Sequence, residues 1–340
     1  MRKFTLLTIC LLFAGMSYAQ ETKVKTVPLP QLMSPEAIQA NSENLYITDG
    51  FSIKIISLKD FQLKKTFGRK GEGPQEFKGY ILAYVFPEYV FINSPGKVSY
   101  FTLAGEFIKE IRTTHIFGRF KPLGNEHFVG YSYSREDKIR YESIYIFDSK
   151  FNKVKEIYKR KYFLEKTGGI NLVEERPPIF HIAADKIFLD GVDGIIYIFD
   201  KTGKQVDAIR HDYERIAFTA EHKKRFVAFL KRNKDTKEYY EANKARFTYP
   251  DYFPPIRMFH VNGGRIYVMT NKETAGKNEF IIFDMKGKIL KKLLIPIAPF
   301  EESVIPLFYT IDNGKLYHLV DNEETEEWEL RIYPLIINEK

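Results

Sequence analysis

Ile144-Tyr-Ile-Phe-Asp148, Ile196-Tyr-Ile-Phe-Asp200 and Phe280-Ile-Ile-Phe-Asp284 are three versions of one phrase, and Ser99-Tyr-Phe-Thr102 is a looser fourth. Each is followed by a short turn: Ser149-Lys-Phe-Asn-Lys153, Lys201-Thr-Gly-Lys204, Met285-Lys-Gly-Lys288 and Leu103-Ala-Gly-Glu106. An Asp at the first turn position bonds the backbone ahead of it, and Gly105, Gly203 and Gly287 suit the left-handed residue of a bulged hairpin. Ile55-Ile-Ser57 with Lys59-Asp-Phe61 is a weaker fifth copy. The markers Phe61, Gly105, Phe151, Gly203 and Gly287 lie about 45 to 50 residues apart, except the last step of about 84, as one repeat plus an insertion requires.

Upstream of each marker stands a second apolar strand, as in Leu45-Tyr-Ile-Thr-Asp49, Val90-Phe-Ile-Asn93, Ile187-Phe-Leu-Asp190 and Ile266-Tyr-Val-Met-Thr270. The unit reads as four antiparallel strands. A unit of this kind, repeated every 40 to 50 residues, marks a β-propeller blade. A sixth unit spans Ser303 to Pro334, through Leu316-Tyr-His-Leu319 and Leu330-Arg-Ile-Tyr333. The fold class is therefore all-β, a six-bladed propeller over residues 20–340. Blade six lacks an outer strand, and Thr22 to Pro28, which belongs to no other blade, alternates in a way that would supply it.

Residues 1–19 read as a signal peptide. Arg2 and Lys3 precede an apolar run from Phe4 to Met16, and Ser17-Tyr18-Ala19 offers a small-x-small cleavage site. The run is too short to span a bilayer, and no later apolar stretch is long enough. The expected location is the periplasm or the exterior, with no integral membrane segment. Lipid attachment at Cys10 is disfavoured, because Ile9 precedes it and it sits in mid-run. Cys10 is the only cysteine, so the mature chain would hold neither a disulfide nor a thiolate ligand. The net charge of +8 is spread along the chain, and nucleic acid is not an expected partner of an exported protein.

Leu45-Tyr-Ile-Thr-Asp49 followed by Thr66-Phe-Gly-Arg-Lys-Gly-Glu-Gly-Pro-Gln-Glu-Phe77 resembles NHL-type repeats. More closely it is similar to the TolB-like six-bladed propellers exported by Bacteroidetes, as is Tyr249-Pro-Asp-Tyr-Phe-Pro-Pro255. The resemblance implies an architecture and leaves the activity open, since fold does not imply function.

Gly68-Arg-Lys-Gly-Glu-Gly-Pro74 lacks the Lys-Ser/Thr and helix of a phosphate loop, and reads as the crossover between blades one and two. Asp49, Asn93 and Asp190 recur near one blade position, with Asp321 near the blade-six equivalent. They either cap their own turns or converge on the channel. No metal and no cofactor is assigned. His181 and His260 align on the first strands of blades four and five, with Thr310 and Gln39 as matches in blades six and one. They are candidate ligand contacts, against the alternative of half-buried imidazoles bonded to backbone.

Residues 213–254 form the insertion between blades four and five. Thr219 can cap a helix, Phe226, Phe229 and Leu230 share one face, Asn233-Lys-Asp235 breaks it, and Thr236 to Phe247 reads as a second helix. The insertion is rich in Lys and Arg. Lys223, Lys224, Arg225, Tyr239 and Tyr240 are candidate contacts for an unidentified ligand or protein, and an anionic one fits the charge. The alternative is a decoration packed onto one face. Two functional classes remain: a binding or scaffold propeller, or a metal-assisted, lactonase-like hydrolase or lyase acting in the channel. No catalytic residue is assigned.

Overall fold

The structure is a computed structural model and describes residues 24–335, apart from 117, 138, 165–168, 171–172, 174–176, 233 and 298–307. The signal-peptide reading and the start of blade six fall outside the described residues. Six four-stranded antiparallel sheets form the ring. Blade one is Pro35–Ala40, Asn44–Asp49, Ser52–Ser57 and Leu63–Phe67. Blade two is Leu82–Val85, Tyr89–Ser94, Lys97–Thr102 and Phe107–Arg112. Blade three is Lys121–Leu123, His127–Glu136, Ile139–Asp148 and Lys153–Leu164. Blade four is Ile179–Ala183, Lys186–Asp190, Ile195–Asp200 and Gln205–Arg210. Blade five is Ile256–Asn262, Arg265–Thr274, Lys277–Asp284 and Ile289–Ile295.

Blade six takes Tyr309–Asp312, Lys315–Asn322 and Glu327–Pro334, and its outer strand is Lys25–Pro28. The register runs from Lys25 opposite Ile332 to Pro28 opposite Glu329. Leu29, fully buried, continues the pairing by donating its N–H to the Trp328 carbonyl at 2.7 Å. An outer edge that would otherwise lie open is thereby covered by the other end of the chain, which closes the ring.

The core lies between blades. Five apolar clusters fill the contacts between neighbours; one joins blades four, five and six through Phe188, Phe259, Phe280 and Tyr309. Another joins two and three through Phe91, Phe120, Phe128 and Phe147. The second strand of each blade is buried on both faces, as Leu45, Tyr46 and Ile47 show, which explains its unbroken apolar phrase.

The outer hairpins have the expected chemistry. Asp148, Asp200 and Asp284 each accept the backbone N–H groups two and four residues on, at 2.8–3.1 Å. The third and fourth strands slip register beside the turn in the five blades with such a marker. Gly203 has φ 71°, and Phe151 adopts φ 63° at the equivalent place. Its ring is buried and stacked on Phe128 at 4.6 Å, so packing offsets the backbone strain.

Because every blade is antiparallel, the blade-to-blade connections and the turns between second and third strands lie on one face. That upper face is where the first strands begin. The glycine-rich crossover lies there, with Arg69–Lys70 pairing in parallel with Glu76–Phe77. So does the insertion. Thr219 caps helix α1 (Ala220–Arg232) reciprocally with His222: the His222 N–H donates to the Thr219 hydroxyl at 3.4 Å, and the Thr219 N–H donates to His222 Nδ1 at 3.0 Å. Helix α2 spans Lys234–Asn243 and a 3₁₀ turn adds Lys244–Arg246. It starts before the predicted Thr236, because Lys is a good helix former and Asp is only mildly unfavourable. Among the described residues, no helix is long and apolar enough to cross a membrane.

Candidate functional site

The first strands of neighbouring blades approach one another around the axis, so they line the central channel. One register position can be followed around it. Gln39 pairs with Tyr46, Tyr84 with Phe91, Lys121 with Val129, His181 with Phe188, His260 with Tyr267 and Thr310 with Tyr317. The predicted equivalence of His181, His260, Thr310 and Gln39 holds strand for strand. The structure adds Lys121 and Tyr84, the members from blades three and two.

On the side of blades three to six these residues form an arc. The rings of His181 and His260 lie 5.3 Å apart, and His260 lies 4.9 Å from the ring of Tyr309. The Lys121 ammonium donates to the Phe180 carbonyl at 2.5 Å. It sits 4.6 Å from the centre of the Tyr84 ring and 4.9 Å from that of Phe180, where cation–π attraction applies. Among the described residues no carboxylate pairs with it. Burial lowers the Lys121 pKa to about 7. Burial, with Lys121 close by, takes His260 down to about 3. Burial first, then Lys121 and His260, hold His181 well below the usual imidazole range, against a hydrogen bond with the Phe259 backbone. Both imidazoles are therefore neutral at neutral pH.

His181 is half-buried as a residue, yet its Nε2 is enclosed and without a partner. His260 Nε2 and the Tyr309 hydroxyl are in the same condition. His181 is thus half-buried and bonded to the Phe259 backbone, as the alternative reading has it, with its second nitrogen enclosed and without a partner. Arg119, two positions before Lys121, adopts φ 45° and lies 5.8 Å from the centre of the Tyr131 ring. Arg257 occupies a register shift at the start of the blade-five first strand. The acid at the corresponding end of blade one is Glu36, whose carboxyl is partly screened from water; that desolvation, followed by the Asp49 charge, raises its pKa. The arc is cationic and rich in unused nitrogen.

Asp49, Asn93 and Asp190 do different work. Asn93 and Asp190 are register equivalents, two residues beyond Phe91 and Phe188, but Asp49 lies three beyond Tyr46, and Thr48 is the true match. Asp49 accepts the N–H groups of Met33 (3.2 Å) and Ser34 (2.5 Å) and pairs with Lys54. Asn93 clasps Phe120 through both backbone groups, at 2.7 and 2.8 Å. Asp190 accepts from Val192 in its own turn at 2.8 Å. Only Asp190 follows the self-capping reading; the other two fasten connections to first strands. Asp321 is exposed opposite Trp328 and does not join the set. Among the described residues no group of three His, Cys, Asp or Glu could hold a metal ion.

The insertion stands apart from this arc. Phe226 and Leu230 are buried, which packs α1 down. Lys223, Lys224 and Tyr239 are exposed, while Arg225 and Tyr240 are half-buried. The Lys223 ammonium lies 4.5 Å from the centre of the Tyr249 ring, and Lys231 bonds Glu241 at 3.0 Å. Tyr240 packs edge-on to Phe247 at 5.1 Å. The Thr248 N–H donates to the Ile170 carbonyl at 2.9 Å, which ties the insertion to the connection into blade four. His181 and His260 are thus brought together, while the five hairpin candidates lie on the two helices of the insertion, Lys223, Lys224 and Arg225 on α1 and Tyr239 and Tyr240 on α2.

No protein-family model matches the chain, and no curated protein matches it. Solved structures similar to it include BamB from Moraxella catarrhalis, 11% identical, TM-score 0.32, covering 87% of this chain and 71% of that one. Hsv2 from Kluyveromyces lactis is 11% identical, TM-score 0.39, covering 88% and 97%. A protein of unknown function from Bacteroides caccae is 11% identical, TM-score 0.39, covering 77% and 80%. At these scores the likenesses carry no functional argument.

Proposed function

We propose that this chain is an exported binding propeller, of the TolB-like or NHL-like kind that its blade-one motifs resemble, holding an anionic ligand or protein partner on its upper face. One observation carries the reading. The segment that departs most from the repeat buries Phe226 and Leu230 and turns Lys223, Lys224 and Tyr239 to solvent. Cation and aromatic on a fixed support are what a recognition surface for carboxylates uses. The channel-hydrolase alternative has less support: two imidazoles beside an ammonium do not make a three-ligand zinc set, and a cation at Lys121 opposes metal binding. The test is binding of an acidic polysaccharide at low salt, where screening is weakest. A Lys223→Glu/Lys224→Glu protein should bind at least about tenfold more weakly than the intact one. Equal binding by the two would remove the hairpin from the site.

A further inference from the structure

We propose that the seam where the ring closes, between blades six and one on the lower face, is a pocket for a small aromatic acid, its carboxylate taken by the Tyr317 hydroxyl and the ammonium groups of Lys59 and Lys315. The site lies on the face opposite the hairpin and does not rest on the reading given above.

The cleft is built from both ends of the chain. Its volume is about 710 Å³, within the range that small-molecule sites occupy. Blade one contributes the turn between its first two strands and the turn between its last two, which carries Lys59 and Phe61. Blade six contributes Lys315 after its first turn, with Tyr317 and Ile332 behind it. The closing strand adds Lys25, whose ammonium lies 4.2 Å from the centre of the Phe61 ring. These turns stand opposite the blade-to-blade connections, so the cleft opens on the lower face.

One buried polar group faces the open space. Tyr317 is only 3% exposed, and its hydroxyl has no hydrogen-bond partner among the described residues. Unlike the Tyr309 hydroxyl it is not enclosed, so it emerges into the cleft that its side chain lines. Burial, then the Asp312 charge, raises its pKa to about 12, so at neutral pH it is a donor in want of an acceptor.

The charges around it call for the same guest. Four lysines line the cleft against Glu43 and Asp60. Asp60 is occupied by its own turn, accepting from Ser57 and from the Gln62 N–H at 3.3 Å. Lys64 donates to Asn44 Oδ1 at 2.7 Å. Among the described residues neither Lys59 nor Lys315 has a carboxylate partner. The surplus is positive and made of donors, so the guest brings acceptors and negative charge. A bare anion would fill little of the volume. Phe61, Tyr317 and Ile332 offer ring and alkyl walls against which a flat apolar body rests. An aromatic carboxylate supplies both parts. Lying across the seam, it would tie blade one to blade six and to the strand Lys25–Pro28, and so hold the ring shut.

The experiment is calorimetric titration of the protein at pH 7 with naphthoate, naphthylmethanol and acetate. Naphthoate should bind with a dissociation constant of about 100 µM or tighter. It should bind roughly tenfold or more tighter than either fragment, as a hydrogen bond to a charged group contributes. Tyr317→Phe and Lys59→Gln/Lys315→Gln should each lose most of that preference. Lys223→Glu/Lys224→Glu, on the other face, should keep it within about twofold. Should Tyr317→Phe not fold, the lysine pair decides, because both side chains are exposed. In the unaltered protein, naphthoate should slow backbone hydrogen exchange at residues 25–28 severalfold. No binding, no preference for the acid, undiminished binding by either folded variant, or unchanged exchange at 25–28 would overturn the proposal. So would a second copy of the chain seated in the cleft, seen as dimerisation that naphthoate does not disturb. Failure of the hairpin to bind polysaccharide would leave this site standing, and failure of this site would leave the hairpin reading standing.

Discussion

At the outer hairpins, blades three, four and five use one residue type in one way, with Asp148, Asp200 and Asp284 accepting the same two N–H groups. At the inner strands, one register position carries Gln39, Tyr84, Lys121, His181, His260 and Thr310. The outer position is satisfied within its own turn. The inner one leaves two imidazole nitrogens bare. Geometry alone would let the inner position repeat as readily as the outer. That it varies, and varies toward ionisable groups, separates what builds the propeller from what the propeller presents.

The comparison breaks first at closure, which is purely architectural. Removing residues 24–29 takes away the strand opposite Glu329–Ile332 and the buried Leu29. The melting temperature should fall by about 10 °C or more, or the protein should aggregate. An unchanged melt would mean the ring holds without its outer strand. Next comes the core that the repeat encodes. Phe147 is fully buried among Phe120, His115 and Tyr145. Phe147→Ala should cost about 3–5 kcal/mol by denaturant unfolding; a loss below about 1 kcal/mol would show a core that readily collapses.

Acid titration sharpens the contrast, because the two positions fail at different pH. His181 and His260 are held neutral by burial, so their folded pKa values lie below the unfolded value near 6.5. The unfolded chain binds more protons there, and stability falls as pH drops below about 6.5, by roughly 1 kcal/mol per buried imidazole per unit. His318, lowered to about 3 by burial and Arg331, adds to the same loss. The outer aspartates have folded pKa values lowered, by hydrogen bonds from Asn152 and its backbone for Asp148, and from Thr202 and Lys204 for Asp200. Their contribution holds above the usual carboxylate range and goes only as pH falls through it. Unfolding midpoints between pH 7 and 5 should therefore shift in the intact protein, and the shift should shrink in His260→Phe. A flat profile over that window would contradict the burial of these rings. At the outer hairpin, Asp200→Ala should lower the unfolding midpoint by less than Phe147→Ala does, because its turn bonds are made at the solvent-exposed surface.

The two positions were also unequally legible. The hairpin phrase names itself, since Asp, Gly and a register slip are local and recur. Closure was legible because Thr22 to Pro28 had no other blade to join, and the structure pairs Lys25–Pro28 there. His181 and His260 aligned because their strands are apolar and regular. Lys121 did not, because its strand is three residues long and centred on Pro122, with no alternation to read. Counting back from Ile146 through its partner Val129 would have found it. For Asp49 and Asn93 the sequence leaves turn capping and channel lining both open, because their partners, Ser34 and Phe120, lie 15 and 27 residues away in sequence. Helix α2 begins earlier than predicted since Lys234 favours a helix and Asp235 only mildly opposes one.

If the inner arc does not serve the fold, the fold should gain when Lys121 loses its charge. A buried ammonium without a carboxylate partner is a liability to stability. With its pKa lowered to about 7, the intact protein should grow more stable as pH rises from 7 toward the unfolded value near 10.5, because the unfolded chain keeps the proton longer. Lys121→Met comes within one atom of its length and removes that cost. The deciding measurement is the denaturant midpoint of Lys121→Met against the intact protein at pH 7 and pH 10, with the slope of unfolding checked for constancy. The predicted result is a gain of about 1 kcal/mol at pH 7, since the side chain is only half-buried, that shrinks to a small fraction by pH 10. A loss of stability at pH 7 would contradict it, and would make Lys121 a structural part of blade three.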